Sequence, residues 1–317
     1  MGCAAIHDQI QTTPGAPPPV LEIFTTHRKT LFGIAYRMLG RVSEAEDMVQ
    51  ELWVRWQKQD PAAIDAPRAW LVSAMTRLCI DQLRSARRER EDYYGVWLPE
   101  PLMPATDGGH DGAASGIAES LTMAFMMILD ALDPVERAVF LLREVFDYDY
   151  ADIAAIVGKG EANCRQIVRR ARAQLHAGTP PPSPPTALAQ RLVEQFFNAA
   201  ESGKVEELLA MLHEDVIVYS DGGGRVRAAG RPICTADHVS RFIVGVWPKL
   251  PTDTEWRAAT VNGRWGALMR SQGEIYGALA FDVVGDRLQN IYFMLNPEKL
   301  RHLRWEGGGK ERGVCDG

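Results

Sequence analysis

Residues 43–56 read Ser-Glu-Ala-Glu-Asp-Met-Val-Gln-Glu-Leu-Trp-Val-Arg-Trp, and the fold of the chain turns on this stretch. Ser43-Glu44-Ala45-Glu46 has the form of a capping box, so a helix is expected to begin there. Ala45, Met48, Val49, Leu52, Trp53 and Trp56 then recur at the spacing that lines one side of a helix with apolar groups. Asp47, Gln50 and Glu51 fall on the other side. On periodicity alone that acidic and amide-bearing face fits a solvated surface as well as a binding one.

Working outward, Pro67 suits a first helical turn and opens a second long helix carrying Trp70, Leu71, Leu78, Ile80 and Leu83. Its far end turns basic at Arg84, Arg87, Arg88 and Arg90. Cations also favour a helix C-terminus, so the run fits either a helix end or a phosphate contact. Further on, Asp133-Pro134-Val135-Glu136 caps a helix, Tyr150 to Val157 predicts a short one, and Gly158-Lys159-Gly160 turns into a helix from Glu161 to about Ala177. This is a helix-turn-helix pattern. Cys164, Ile167, Val168, Ala171 and Leu175 form its apolar face. Arg165, Gln166 and Arg169 are left outward as candidates for base edges, and Lys159, Arg170 and Arg172 as candidates for phosphates. A helical hairpin without DNA is the plainer alternative.

After the proline run Pro180-Pro181-Pro182-Ser183-Pro184-Pro185 the character changes. Helices are expected at Ala187–Ala200 and Val205–Leu212, with strands near Val216–Ser220 and Arg225–Ala229 and a helix around Asp237–Val246. Further strands follow near Glu255–Val261, Ala267–Gln272, Gly277–Val284 and Gln289–Phe293. Helices followed by a curved antiparallel sheet make an α+β cone.

Length and composition agree with several soluble modules. The 317 residues are 46% hydrophobic and 24% charged, with formal net charge −6, and no apolar run approaches the ~18 residues of a membrane span. A cytoplasmic protein is expected. Five scattered cysteines, Cys3, Cys79, Cys164, Cys234 and Cys315, form no Cys-x-x-Cys pair and no zinc or disulfide framework. Cys79 and Cys164 read as small core residues. The Gly- and Pro-rich linkers divide the chain into a disordered start (1–19), a helical module (20–95), a linker (96–116), the helix-turn-helix module (117–178), a proline spacer (179–185), the cone (186–304) and a disordered tail (305–317).

The order of these motifs resembles extracytoplasmic-function sigma factors over roughly Leu21 to Ala177. Ala45-Glu46-Asp47-Met48-Val49-Gln50-Glu51 is similar to that family's helix for core RNA polymerase. Pro67-Arg68-Ala69-Trp70-Leu71 through Asp81-Gln82-Leu83-Arg84 resembles its promoter-melting and minus-10-reading helix, and the second module resembles its minus-35 reader. Trp97-Leu98-Pro99-Glu100-Pro101, Asp221-Gly222-Gly223-Gly224-Arg225 and Asn296-Pro297-Glu298-Lys299-Leu300 resemble signatures of a subgroup with a SnoaL-like C-terminal domain. The implied fold is two all-α sigma domains followed by an α+β cone.

The resemblance implies an alternative sigma factor whose partners are core RNA polymerase and promoter DNA, with no cofactor, metal or membrane. It assigns Asp47, Gln50 and Glu51 to polymerase, Trp70, Arg77, Arg84, Arg87 and Arg88 to the minus-10 element, and the helix-turn-helix residues above to the minus-35 element. The loop Gln59 to Ala66 resembles a pocket for a flipped-out base. Trp97, Glu100, Asp221, Gly222, Gly223, Gly224, Arg225, Asn296 and Lys299 become interdomain regulatory residues, with Arg225 expected to meet Glu100. An anti-sigma factor, or a small-molecule ligand of the cone, is compatible with the pattern and not readable from it. The rival reading is a SnoaL-like cyclase or isomerase fused to a DNA-binding region, drawing on His213, Asp215, Asp221, His238 or Asp282; a simple repressor has no use for the first module.

Overall fold

The computed structural model describes residues 20–60, 63–86, 93–104, 121–175 and 185–311. Arg87, Arg88 and Arg90, most of the 96–116 linker, most of the proline run, residues 1–19 and residues 312–317 lie outside the described residues, whereas 305–311, expected as part of a disordered tail, are ordered by pairing of Lys310 and Glu311 with β3 (Glu255–Val261).

Three helices open the chain: α1 (Val20–Leu39), α2 (Val42–Trp56) and α3 (Pro67–Ser85). The stripe read from the sequence is the buried side of α2, where Ala45, Met48, Val49, Leu52 and Trp56 are buried and Trp53 is half-buried. Asp47, Gln50 and Glu51 are exposed. The start of α2 departs from the expected capping box: it begins at Val42 behind Arg41, and no side chain of the helix caps it. Its free amides are met from a distant part of the chain, described below.

Four helices follow: α4 (Met123–Asp130), α5 (Pro134–Glu144), α6 (Tyr150–Val157) and α7 (Glu161–Leu175). Asp133 caps α5 as expected, its Oδ1 accepting from Val135 N at 2.9 Å. Gly158 closes α6 at φ +68°, a left-handed conformation that favours glycine and turns the chain into α7. Cys164, Ile167, Val168 and Ala171 are buried, and so is Cys79. The two helical modules share one continuous apolar core running from Phe24 to Ala171.

The third module contains α8 (Thr186–Ser202), α9 (Val205–Met211), β1 (Leu212–Asp221), β2 (Ile233–Cys234), α10 (Ala236–Val246), β3 (Glu255–Val261), β4 (Arg264–Ser271), β5 (Glu274–Val284), β6 (Arg287–Met294), α11 (Pro297–Leu300) and β7 (Lys310–Glu311). The strands form one sheet in the order β2-β1-β6-β5-β4-β3-β7. All neighbours are antiparallel except β1 and β6, so the expected all-antiparallel sheet contains one parallel pair. After β1 the chain crosses through α10 before the β3–β6 meander returns beside it. Register shifts between Leu212 and Ile217, Met269 and Arg270, and Asp282 and Val283 are irregularities of the kind that bend strands.

The strand expected at Arg225–Ala229 does not form. Arg225 N and Val226 N both donate to Gly222 O, and left-handed Gly223 and Gly224 turn the backbone away from β1. The edge position is taken by Ile233 and Cys234 instead.

Side chains alternate across the sheet. Met269, Leu279 and Phe281 join the apolar cluster under α8 and α10, whereas Leu268, Ala278, Ala280 and Met294 join a second cluster with Leu98 and Met123. One sheet layer therefore has the helices of its own module on one face and the interdomain linker on the other.

Candidate interdomain latch and nucleic-acid interface

Residues 93–104 lie extended across the second face of the sheet, and Asp221, at the last position of β1, organises them. Its carboxylate is almost fully buried and accepts four hydrogen bonds. Oδ1 takes Tyr93 Oη at 2.6 Å and Gly223 N at 3.0 Å; Oδ2 takes Leu98 N at 2.8 Å and Lys299 Nζ at 2.7 Å. Lys299 is equally buried, also donates to the Leu98 carbonyl, and sits 4.4 Å from the Trp97 ring centroid and 4.9 Å from that of Tyr93. Burial lowers the Lys299 pKa to about 8, against the pull of Asp221 in the other direction. The Tyr93 hydroxyl is shifted upward, first by burial and then by its bond to Asp221.

The glycines after Asp221 have separate reasons. A Cβ on Gly222 would stand 2.3 Å from Val226 O, and one on Gly223 would stand 2.2 Å from Asn296 Nδ2. Asn296 caps α11 through Oδ1, which accepts from Glu298 N, while Nδ2 donates to Tyr93 Oη at 3.0 Å. The three sequence signatures thus meet at one place: Trp97, Asp221 to Gly223, and Asn296 with Lys299.

Glu100 carries the contact on to the first module. Its Oε2 accepts from Val42 N at 2.8 Å and Ser43 N at 3.5 Å, filling the position left by the missing capping box. Its backbone N donates to Gly40 O and its carbonyl accepts from Tyr36 Oη at 2.7 Å. Gly40 is left-handed at φ +74° and lies under Trp97, whose ring would be 2.4 Å from an added Cβ. The expected Arg225–Glu100 pair is absent. Arg225 pairs with Glu298 at 3.0 Å on the exposed surface, and Glu100 is buried against backbone amides out of that surface.

Three participants were not singled out in the sequence: Tyr36, Tyr93 and Asn262. Asn262 and Gly263, at φ +49° and +71°, make the turn between β3 and β4, an Asn-Gly hairpin signal that was readable as a turn. Its contacts were not readable. Asn262 exchanges hydrogen bonds with Leu102, its Oδ1 accepting from Leu102 N at 2.8 Å, and Nδ2 donates to Tyr36 Oη at 2.7 Å and Leu121 O at 3.0 Å. The Tyr36 hydroxyl therefore joins the first module, the linker and the cone. Burial is the main reason its pKa is raised.

The outward faces are distributed as follows. Beside Asp47, Gln50 and Glu51, Val54 is 50% exposed, an apolar side chain one turn further along α2. Trp70 is half-buried, tilted against Trp56 with ring centroids 5.4 Å apart. Arg84 is exposed near Asp81. Arg77 is engaged elsewhere: its guanidinium donates to Ile156 O at 3.1 Å and Ala155 O at 3.3 Å, at the C-terminal end of α6. Arg137, buried, likewise links the modules through Met38 O and Asp130.

On α7, Arg165 is held by Glu161 and lies over Tyr150. Arg170 pairs with Glu136, and Arg172 grips Glu144 with two bonds of 2.8 and 3.0 Å, so both tie α7 to α5 while staying exposed. Lys159, Gln166 and Arg169 are exposed and make no side-chain hydrogen bond or ion pair among the described residues. The five titratable groups weighed for catalysis do not converge. Asp221 is in the latch and Asp282 is buried, accepting from Tyr292 and Asn290; His213 and exposed Asp215 are neighbours at the start of β1, where Asp215 N donates to His213 Nδ1 at 3.3 Å, and exposed His238 is on α10. No cluster of His, Cys, Asp and Glu able to hold a metal occurs among the described residues, and none of their helices is long and apolar enough to cross a membrane.

Comparison with known proteins agrees with this layout. Residues 23–89 match the model for Sigma-70 region 2, and residues 122–175 match that for Sigma-70, region 4. The chain is 36% identical over 252 residues to ECF RNA polymerase sigma factor SigJ of Mycobacterium tuberculosis, covering 77% of this chain and 79% of the relative. It is 30% identical over 303 residues to the probable ECF RNA polymerase sigma factor SigI of the same species, covering 92% and 98%. The crystal structure of SigJ from that organism superimposes with a TM-score of 0.70 at 30% identity, covering 89% of this chain and 98% of SigJ.

Proposed function

The chain belongs to the extracytoplasmic-function RNA polymerase sigma factors, and from that premise we propose that its first two modules bind core polymerase and promoter DNA in the cytoplasm while the cone restrains them through the linker. The observation that carries the regulatory part is the buried Asp221 carboxylate, which holds the linker between the two promoter readers by Tyr93 and Leu98. A linker held in this way ties the cone to the first module, through Glu100 on Val42 N and Tyr36.

The exposed face of Asp47, Gln50 and Glu51, with Val54 beside it, is the polymerase contact in this reading. Its carboxylates suit arginines of a partner and its apolar neighbour suits a small buried centre. Trp70 and Arg84 of α3, with Arg87 and Arg88 after it in the sequence, belong to the minus-10 element. On α7, Arg165, Gln166 and Arg169 take base edges; Arg170 and Arg172, with Lys159 in the turn before the helix, take phosphates. Arg77 reaches the minus-10 strand only after it lets go of α6. The sigma family acts in transcription initiation, and the cone here restrains a conformation with no need of turnover.

Reconstituted initiation with core polymerase tests the assignment. Asp47→Arg with Glu51→Arg is expected to weaken polymerase binding with an unchanged melting curve. Truncation after Gly178 is expected to change promoter-dependent transcription with every promoter-reading residue intact. Unchanged polymerase affinity in the first case, or unchanged transcription in the second, overturns the corresponding part.

A further inference from the structure

The helix-covered face of the sheet is not filled. Between it, α10 and residues 227–229 lies a cavity of about 620 Å³, inside the range of ~300–1,000 Å³ typical of small-molecule sites. Its walls are aromatic: Phe196 and Phe197 from α8, Phe242 and Trp247 from α10 and the turn after it, and Phe293 from β6. Small residues, Ser220, Ala228, Ala229 and Gly245, leave the space open.

Gly245 is informative. It lies inside α10 without a left-handed φ, and a Cβ there would meet nothing within 4 Å. Neither turn geometry nor close packing asks for glycine, a poor helix former, at this position. What its missing side chain provides is clearance at the mouth of the cavity, where the residue is exposed.

The charged groups of the cavity are all cationic. Arg227, Arg241 and Lys249 are exposed at its rim, and no Asp or Glu lines it. Arg241 is neutralised by Asp237, through bonds of 2.9 and 3.0 Å. Arg227 and Lys249 have no ion pair among the described residues. An apolar, ring-lined hollow with two uncompensated cations at its edge matches a ligand with an apolar body and an anionic head. The head stays at the solvent edge, where pairing demands little desolvation, and a planar guanidinium favours a carboxylate.

We propose that this cavity binds a hydrophobic monocarboxylate with an aromatic body, its ring against Phe242 and Phe293 and its carboxylate between Arg227 and Lys249. Ser220, which lines the cavity, is followed by Asp221, whose side chain points to the opposite face and holds the linker. Ligand and latch are therefore back to back on one strand. The binding itself is independent of the sigma-factor reading and is tested without transcription.

The test is calorimetric titration of the full chain with 1-naphthylacetate and with its uncharged counterpart 1-naphthylacetamide. Saturable binding of the acid at one site per chain is expected, about tenfold or more tighter than the amide. Arg227→Ala with Lys249→Ala, both exposed positions, brings acid and amide to similar affinity. Gly245→Leu, which places a side chain over the mouth, removes binding of both while leaving the circular dichroism spectrum unchanged. The proposal is overturned by absence of saturable binding in the low millimolar range, by equal affinity for acid and amide in the unaltered chain, or by acid binding indifferent to the Arg227 and Lys249 substitutions.

Discussion

Two contacts hold this chain in one piece, and they are made in opposite ways. The helical modules meet through a shared apolar core, in which Leu71, Leu78 and Phe140 belong to one cluster. The linker meets the cone and the first module through buried polar groups, Asp221, Lys299, Asn262, Glu100 and Tyr36. An apolar core is non-directional and tolerates volume-conserving change. A buried polar set is satisfied only in one arrangement, and each member left without its partner is costly. The first kind of contact supplies cohesion; the second supplies a position that is either held or lost.

Breaking that comparison begins with Asp221. Asp221→Ala leaves the Lys299 ammonium buried against carbonyl and rings alone, a loss of about 3–5 kcal/mol for the docked linker. Hydrogen exchange over residues 93–104 is expected to accelerate sharply while the amides of α1 to α3 stay protected. Leu141→Ala in the shared core, at about 2–5 kcal/mol, is expected to do the reverse, lowering the melting temperature without selectively freeing the linker. Identical exchange patterns in the two variants would erase the distinction.

Asn262→Gly sharpens it. Glycine keeps the left-handed turn and the backbone bond to Leu102 O but removes the side-chain bonds to Leu102 N, Leu121 and Tyr36, for about 1–3 kcal/mol. Exchange at Leu102 N reports the change, with the β3–β4 hairpin intact by circular dichroism. Smaller still is Arg77→Ala, which withdraws a cation from the end of α6, worth about 0.3–1 kcal/mol. Its expected signature is faster exchange at residues 155–158 with no effect on the linker.

A pH titration probes the same clasp with no substitution. The docked Lys299 titrates at about 8 and a free lysine at 10.5. Between these values the released state binds more protons than the docked one, so docking tightens as pH rises through that window. Linker exchange rates corrected for intrinsic base catalysis are expected to fall relative to those of α2 as pH increases from 8. A relative rise would show that the lysine is held charged more firmly than its burial allows.

Local rules were readable and distant partners were not. Asp133 as a cap, Gly158 as a left-handed stop and the buried faces of α2 and α7 each follow from residues within a few positions, and the structure has them. Ser43 to Glu46 satisfies the same kind of rule and yet does not cap α2. Glu100, 58 residues away, occupies the amide of Val42 instead. The signatures at Trp97, Asp221 and Asn296 were legible as belonging together, but not the pairing within them. Arg225 turned to its neighbour Glu298, and the role of Asn262 had no sequence sign beyond a turn. The failed strand at Arg225–Ala229 has a nearer cause, left-handed Gly223 and Gly224, which turn the chain before it.

The wide separation of those partners orders events during synthesis. Lys299 lies 201 residues after Leu98, whose carbonyl it holds, and at ~5–20 residues per second a ribosome takes roughly 10–40 s to reach one from the other. Both helical modules emerge well before the residue that clasps the segment between them. Each newly made molecule thus passes through a youth in which its helices are complete and its clasp does not yet exist.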